Sequence, residues 1–251
     1  MTILCYHSVQ PDWTSPLAVD PGLFAKHCSW LARRRRVVPL EDAVDRLDAN
    51  CRLPRGIASL SFDDGFSAIY QHALPLLKRY RLPATVFLVA ATLSAAGHPV
   101  DWVDTAGSET LTTLTRDQVL EMQAAGVSFQ SHSWAHHDLT RLTFAECVTD
   151  LSESREFLSE MLARPVFLLA YPRGRHNAQV RDAAARAGYL HAFGLPEQAE
   201  HPGRFSIPRV GVYQGNTTAT LRVKNSHGYL AVRTAPAFPG VQRIARRALR
   251  R

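Results

Sequence analysis

Short apolar runs rich in β-branched residues alternate with amphipathic stretches along most of this 251-residue chain, and this alternation limits the folds that it can adopt. The runs predict strands. The predicted strands cover residues 3–7, 37–40, 57–62, 84–90, 127–131, 166–171, 190–194 and 205–212. The intervening stretches predict helices over 21–35, 40–47, 67–80, 115–125, 143–162 and 177–187.

Such alternation is typical of a parallel sheet with crossover helices. Seven or eight strand–helix units suit a (β/α) barrel, and an open doubly wound sheet is the competing architecture. The pattern weakens after residue 213. We therefore predict one α/β catalytic domain over residues 1–213 and a C-terminal extension over 214–251 that ends in a basic tail.

The composition suits a compact domain, since 46 % of the residues are hydrophobic. The four cysteines are scattered without a CxxC pair, which favours reduced thiols over a disulfide framework or a zinc finger. The first residues lack the pattern of a signal peptide, and no segment approaches the roughly 18 apolar residues of a membrane span. These features predict a cytoplasmic location.

The formal net charge of +7 is concentrated partly in the tail VQRIARRALRR, residues 241–251. The tail could form a basic amphipathic helix that touches anionic lipid or a diphosphate-bearing substrate, or a solvated terminal helix. The chain carries no nucleic-acid-binding motif and no basic stripe interleaved with aromatic residues. We therefore expect no nucleic-acid partner.

Titratable residues follow several of the predicted strands directly. Asp63 and Asp64 come after residues 57–62, and His132 with SWAHH comes after residues 127–131. His7 ends the first strand. Because the carboxyl ends of parallel strands meet at one end of a barrel, this recurrence indicates an active site there.

Two imidazoles and a carboxylate form a ligand set typical of hydrolytic metal sites. His132 and His136 are four residues apart and would lie on one face of a helical turn. Asp64 would be the third ligand, and His137 is an alternative to His136. Asp63 would take a proton from metal-bound water, if the bend at Gly65 lets both aspartates border one pocket. Zn²⁺ is the expected ion, with Co²⁺ or Ni²⁺ as alternatives.

Three segments carry a family resemblance: SFDDGF at 61–66, SHSWAH at 131–136 and AYPRGRHN at 170–177. Together they resemble the polysaccharide deacetylase family, which is carbohydrate esterase family 4, or the NodB-homology domain. The resemblance runs from about residue 1 to residue 213 and implies a distorted (β/α) barrel. It implies a metal-dependent hydrolase acting on substrates that contain N-acetylhexosamine.

The resemblance also assigns roles to individual residues. It makes Asp63 the general base and Asp64, His132 and His136 the metal ligands. Ser133 would orient the histidine loop. Tyr171 and Pro172 match the substrate-groove motif, where a backbone N–H near Tyr171 would help to hold the oxyanion.

The sequence departs from the family pattern at two positions. The arginine that usually braces the base is missing before Pro172, and Arg209 is the expected replacement, with a plain salt bridge as the alternative. No histidine on a C-terminal strand matches the usual acid. The opening ILCYHSV resembles a circularly permuted subgroup, which makes His7 the expected general acid, or otherwise a buried structural histidine.

Two tryptophans are candidates for contact with a sugar ring. Trp134 lies between the metal histidines and would stack on a sugar or pack against the barrel rim. Trp102 lies in the long predicted loop over the strand ends, residues 91–114.

These features predict a metal-dependent N-deacetylase that releases acetate from an N-acetylhexosamine-containing glycan or glycoconjugate. The expected cytoplasmic location favours a nucleotide-linked or lipid-linked substrate, with possible membrane contact through the tail. A cyclic imide or ureide amidohydrolase on the same fold, or an inactive carbohydrate-binding relative, are the alternatives.

Overall fold

A nearly closed barrel of parallel strands surrounded by helices forms the body of the protein, as a computed structural model describes it. The described residues are 2–50, 56–93, 101–103, 105, 111–196, 203–226 and 228–235, without the side chains of 49 and 50. The strands are β1 (Thr2–Tyr6), β2 (Ser8–Val9), β3 (Ala18–Val19), β4 (Arg36–Val37), β5 (Ile57–Phe62), β6 (Thr85–Leu88), β7 (Ser128–Ser131), β8 (Leu168–Ala170), β9 (His191–Gly194), β10 (Ile207–Pro208) and β11 (Val210–Gly211). The α-helices are α1 (Pro21–Arg34), α2 (Leu40–Asn50), α3 (Leu74–Tyr80), α4 (Arg116–Ala124), α5 (Phe144–Leu162), α6 (Ala178–Arg186), α7 (Thr218–Lys224) and α8 (Tyr229–Arg233).

The barrel closes through one short segment of chain. The main sheet runs in the order β10-β9-β8-β7-β6-β5-β1-β11, and all of these pairs are parallel. Its two ends, β10 and β11, are separated in sequence only by Arg209. The segment from Ile207 to Gly211 therefore leaves β9 and joins β1, which brings the two edges of the sheet together. This confirms the predicted barrel over the open doubly wound sheet.

Side chains alternate between the barrel interior and the surrounding helices. One apolar cluster fills the interior and includes Ile3, Ile57, Phe87, Leu168, Phe193 and Ile207. The alternate residues, such as Leu4, Leu60 and Leu169, pack against the outer helices. Helix α2 closes the amino end of the barrel, since Leu40, Ala43 and Val44 belong to the interior cluster.

The observed elements follow the predicted ones closely, with one difference inside a predicted helix and one after residue 213. A π-helical turn at Ile69–Ala73 precedes α3 within the predicted helix 67–80. After residue 213, α7 and α8 form, and the buried Leu221 of α7 packs into the main core. The predicted boundary at 213 is therefore not marked by a break in packing.

The basic tail at 241–251 and the 214–251 extension beyond residue 235 lie outside the described residues. Among the helices that are described, none is both long and apolar enough to span a bilayer. The predicted cytoplasmic location and the membrane contact by the tail stay predictions.

Candidate active site

The chain turns sharply after the two aspartates of the SFDDGF motif. Asp64 lines a cavity, while Asp63 is buried in the barrel interior. Strand alternation points Asp63 into the barrel, together with Ser59 and Ser61, and alone would point Asp64 outward. Asp64 adopts φ 68° and Gly65 φ 66°, both in the left-handed region. A Cβ on Gly65 would lie 2.9 Å from Leu88 Cδ2, and the left-handed backbone there also favours glycine at this turn.

The two histidines reach the same place from a loop, and the expected helical turn between them is wrong. The residues after β7 form a bend, with Ser133 at φ 70° and His136 at φ 56°. The Ser133 hydroxyl accepts a hydrogen bond from the backbone N–H of His136 at 3.1 Å. The Ser131 hydroxyl in turn accepts one from the N–H of Ser133 at 3.2 Å. Side chain-to-backbone bonds thus hold the loop where helical geometry was expected.

Asp64, His132 and His136 converge in a buried cluster. Asp64 Oδ1 lies 3.5 Å from His132 Nε2 and 3.2 Å from His136 Nε2. The Nδ1 of His132 hydrogen-bonds to the Ala170 carbonyl at 2.8 Å, which turns its Nε2 toward the carboxylate. His137, the alternative to His136 as a ligand, lies outside this cluster. Its side chain is 60 % exposed and lies beside Asp150.

This donor set fits a divalent metal ion. One ligand atom from each of the three residues lies within 4.8 Å of the others. Asp64 Oδ1 is buried and has no hydrogen-bond partner among the described residues, despite the two nearby imidazoles. Burial raises the pKa of Asp64, but the two imidazoles outweigh it and hold that pKa well below its usual range, so the carboxylate is ionised. An ionised oxygen without a hydrogen bond, flanked by two imidazole nitrogens, is a typical metal ligand environment.

Asp63 has entirely different surroundings. Arg209 Nη1 and Nη2 donate to its two oxygens at 2.6 Å and 2.7 Å, and the Cys5 thiol lies 3.3 Å from Oδ2. Arg209 also donates to the Ser61 hydroxyl at 3.2 Å and packs over the Phe87 ring. Burial raises the pKa of Asp63, but the charge of Arg209 outweighs it and the net shift is downward.

The position of Arg209 at the barrel seam explains this pairing. Ile207, Arg209 and Gly211 point inward on alternate residues, so the guanidinium reaches Asp63 across the barrel. Its side chain is fully buried. Of the sequence-based roles for Arg209, the brace on the carboxylate is the one that this geometry supports. The expected contact of Arg209 with substrate stays a prediction.

His7 lies at the end of β1, beside Asp63. An imidazole nitrogen of His7, the Cys5 sulfur and an Asp63 oxygen lie within 4.8 Å of one another. The Tyr213 ring stacks against His7 with centroids 6.4 Å apart. Burial lowers the pKa of His7 more than the two aspartates raise it. His7 therefore lies beside Asp63 and also lines the cavity that contains Asp64, His132 and His136.

That cavity has a volume of about 290 Å³ and contains the predicted metal ligands and His7. Sequence reasoning missed several residues of its wall. The full lining is His7, Leu17, Asp64, Trp102, Val103, His132, His136, Arg173, Leu195 and Tyr213. Of the two candidate tryptophans, Trp102 stacks on the His136 ring with centroids 5.0 Å apart.

Three residues predicted to bind substrate lie outside this lining. Strand alternation directs Tyr171 outward, where its hydroxyl donates to the Phe205 carbonyl at 3.0 Å. The backbone N–H of Tyr171 donates to Phe193 at 3.0 Å, so it is not free for an oxyanion. Pro172, the next residue, is also buried. Trp134 packs edge-on against Phe157 on the barrel rim.

Of the cavity-wall residues that sequence reasoning missed, Arg173 lies in a motif that the sequence analysis quoted, and Tyr213 does not. Arg173 is in the quoted AYPRGRHN segment, and its φ of 58° turns it toward the cavity, where it donates to the Trp102 carbonyl at 3.3 Å. Tyr213 folds over the seam because Gly211 has no side chain; a Cβ there would lie 2.3 Å from the tyrosine hydroxyl.

The sequence profile of the polysaccharide deacetylase family matches residues 52–192, more than half of the chain. The chain belongs to the polysaccharide deacetylase family. The matched span includes Asp63 and the three candidate metal ligands, Asp64, His132 and His136. His7 and Arg209 lie outside it.

Known relatives agree with this assignment. YxkH of Bacillus subtilis is 28 % identical over 219 residues, covering 86 % of this chain and 72 % of that protein. The poly-β-1,6-N-acetyl-D-glucosamine N-deacetylase of Staphylococcus aureus is 27 % identical over 170 residues. That match covers 63 % of this chain but only 55 % of the staphylococcal enzyme.

Solved structures share the fold over most of this chain. The Streptococcus pyogenes deacetylase PplD, determined with acetate, superposes with a TM-score of 0.76 at 25 % identity, covering 90 % of this chain and 98 % of PplD. IcaB of Ammonifex degensii has the same TM-score of 0.76 at 23 % identity, covering 90 % of this chain and 97 % of IcaB. The likeness to IcaB shows the fold alone.

Proposed function

We propose that this protein is a metal-dependent N-deacetylase, which hydrolyses the N-acetyl group of an N-acetylhexosamine in a glycan or glycoconjugate and releases acetate. The observation that carries the proposal is the pair of adjacent aspartates with opposite surroundings. Asp64 faces two imidazoles, and Asp63 is held by an arginine. The name of the staphylococcal relative and the acetate in PplD support the substrate class.

Asp64, His132 and His136 would hold the ion, and Zn²⁺ is the ion that the donor set suits best. A bound divalent ion supplies a polarised acetyl carbonyl and a water of lowered pKa. The chain's own residues then determine where the protons go.

Asp63 takes the proton of the attacking water. Arg209 fixes both of its oxygens, which keeps the carboxylate ionised and limits its rotation. The water oxygen forms a bond to the acetyl carbon, and the C–N bond breaks as the tetrahedral intermediate collapses. The departing nitrogen needs a proton to leave as an amine. His7 delivers it in its protonated form, which the charges of Asp64 and Asp63 favour against its burial.

Trp102 gives the cavity an apolar face beside His136, on which the face of a sugar ring can pack. Because Tyr171 and Trp134 point elsewhere, the sugar contacts would come from Trp102, Leu195 and Tyr213.

The test is an acetate-release assay with Zn²⁺, Co²⁺ or Ni²⁺ added to the metal-stripped protein. Oligomers of β-1,6-linked and β-1,4-linked N-acetylglucosamine and UDP-N-acetylglucosamine are the substrates, and a cyclic imide is the comparison. Asp63→Asn is the matched control, and it should bind Zn²⁺ with unchanged affinity while turnover falls about 10²- to 10⁴-fold. Cyclic imide hydrolysis without acetate release, or full activity of Asp63→Asn, would overturn the proposal.

A further inference from the structure

A second, smaller cavity adjoins the catalytic one at the barrel seam. It has a volume of about 130 Å³, against about 290 Å³ for the catalytic cavity. The two share Arg173, Leu195 and Tyr213 in their walls. The two cavities are therefore neighbours, and we call the smaller one the seam cavity.

Cationic side chains from three separate parts of the chain line the seam cavity. Arg173 comes from the loop after β8, Lys224 from the end of α7 and Arg233 from the end of α8. Arg209 also contributes to its wall, but the charge of Arg209 is already matched by Asp63. Among the residues that the structure describes, no aspartate or glutamate belongs to this wall.

Lys224 is held in place at the seam rather than left to move in solvent. Its ammonium donates to the Gly211 carbonyl and to Asn216 Oδ1, both at 2.6 Å. It also lies 5.1 Å from the centre of the Tyr213 ring. Burial, with the charge of Arg233, lowers the pKa of Lys224 to about 8. Placing this cation costs free energy, and a bound anion would offset that cost.

We propose that the seam cavity is an anion subsite, which binds a phosphate or diphosphate group attached to the acetylated sugar. The inference rests on the proposed function, whose substrate class it narrows. Arginine forks and a fixed ammonium are the side chains that bind phosphate oxygens in proteins. Tyr213, shared between the cavities, would mark the boundary between the sugar and its phosphate.

The first experiment measures binding without turnover. Inorganic pyrophosphate is titrated calorimetrically into the full, metal-stripped chain, so that no bound metal competes for it. Arg233→Gln and Arg173→Gln should each weaken binding about tenfold, the loss of one charged hydrogen bond. The matched control is Arg222→Gln, an exposed arginine on α7 outside the seam cavity, and it should bind like the wild type.

The second experiment compares a substrate that carries a diphosphate with a neutral one. UDP-N-acetylglucosamine and a neutral N-acetylglucosaminide are assayed for acetate release with Zn²⁺. The ratio of their kcat/KM values should favour the diphosphate sugar and should fall about tenfold in Arg233→Gln. A lipid diphosphate-linked N-acetylglucosamine in detergent micelles distinguishes a lipid carrier from a nucleotide carrier.

Failure of this inference is distinguishable from failure of the proposed function. Equal pyrophosphate affinity in the wild type, Arg173→Gln and Arg233→Gln overturns the anion subsite, even if the neutral sugar is deacetylated. Weakened pyrophosphate binding in those variants, with no acetate from any sugar, supports the subsite and overturns the deacetylase.

Discussion

The two ends of the barrel carry similar residue types, carboxylates and histidines, and differ in how completely the polar atoms of these residues are hydrogen-bonded. At the amino end, Glu41 of α2 accepts hydrogen bonds from Ser128 and Gln130. Asp48 of α2 pairs with His191 at 3.0 Å and with Arg204 at 2.9 Å. At the carboxyl end, the buried Asp64 Oδ1 and the Nδ1 atoms of His7 and His136 have no hydrogen-bond partner among the described residues.

The two ends of the barrel also differ in where non-glycine residues adopt left-handed backbone conformations. Six non-glycine residues have positive φ in the described part of the chain. Arg81 and Ala163 end helices α3 and α5 at the amino end, where a left-handed residue commonly terminates a helix. The other four, Asp64, Ser133, His136 and Arg173, belong to the carboxyl-end loops.

The difference teaches that residue type alone does not identify a functional site. Buried polar groups usually find partners, and those at the amino end largely do, with the Nδ1 of His191 as an exception. Unpartnered buried groups combined with left-handed backbone indicate a site built to bind something. We therefore expect substitutions at the carboxyl end to affect activity and those at the amino end to affect stability.

The largest effect is expected from Asp64→Asn. An amide is a much weaker ligand than a carboxylate, so Zn²⁺ binding and turnover should both be lost. Calorimetric titration with Zn²⁺ measures the first and acetate release measures the second. Asp63→Asn is the contrasting variant, since it should keep the ion. Wild-type Zn²⁺ affinity in Asp64→Asn would show that the metal ligand is misassigned.

Arg209→Met should reduce both activity and stability. It leaves the Asp63 carboxylate buried without its partner, which typically costs about 3–5 kcal/mol. Urea unfolding gives the free energy of unfolding, and acetate release gives kcat. The double variant Asp63→Asn/Arg209→Met removes both charges and should recover much of the lost stability but no activity. If the double variant is no more stable than Arg209→Met, the pair is not coupled as the structure indicates.

Gln130→Met tests the amino half of the barrel. Gln130 Oε1 accepts hydrogen bonds from the backbone N–H groups of Phe167 at 3.0 Å and Leu168 at 2.9 Å. Methionine has a similar shape but leaves both donors unpaired, so the free energy of unfolding should fall by about 1–3 kcal/mol. The kcat/KM for the neutral sugar should stay at its wild-type value. A large loss of kcat/KM with unchanged stability would contradict the division between the two ends.

The smallest effect is expected from Asp48→Asn as a function of pH. Hydrogen bonding to His191 is the main cause that lowers the pKa of Asp48, and the charge of Arg204 adds to it. A lowered folded-state pKa contributes stability above the ordinary pKa of the carboxyl, and that contribution is lost as the pH falls through the folded pKa. The wild type should therefore lose stability relative to Asp48→Asn on acidification from about pH 5 to pH 3. Because Asp48 is 39 % exposed, the difference should stay below about 1 kcal/mol. Parallel stability curves for the two proteins over this range would contradict it.

Much of the fold and the core of the candidate site could be predicted from the sequence. Strand and helix positions follow from local periodicity, and the carboxyl ends of parallel strands must meet, so Asp64 and His132 were expected to converge. The capping box of α5 is of the same local kind, since Thr143 and Glu146 are three residues apart and are bonded reciprocally. These features depend on residues that are near in sequence or on a rule common to all parallel barrels.

Only the tertiary structure decided which face each side chain takes at the strand ends and which distant groups meet. The sequence did not reveal that Tyr171 points outward, that the His132–His136 segment is a loop, or that Cys5 contacts Asp63. It raised the Arg209–Asp63 pairing only as one option. Each depends on register across the sheet and on turns where alternation stops, and these are set by packing over the whole barrel rather than by neighbouring residues.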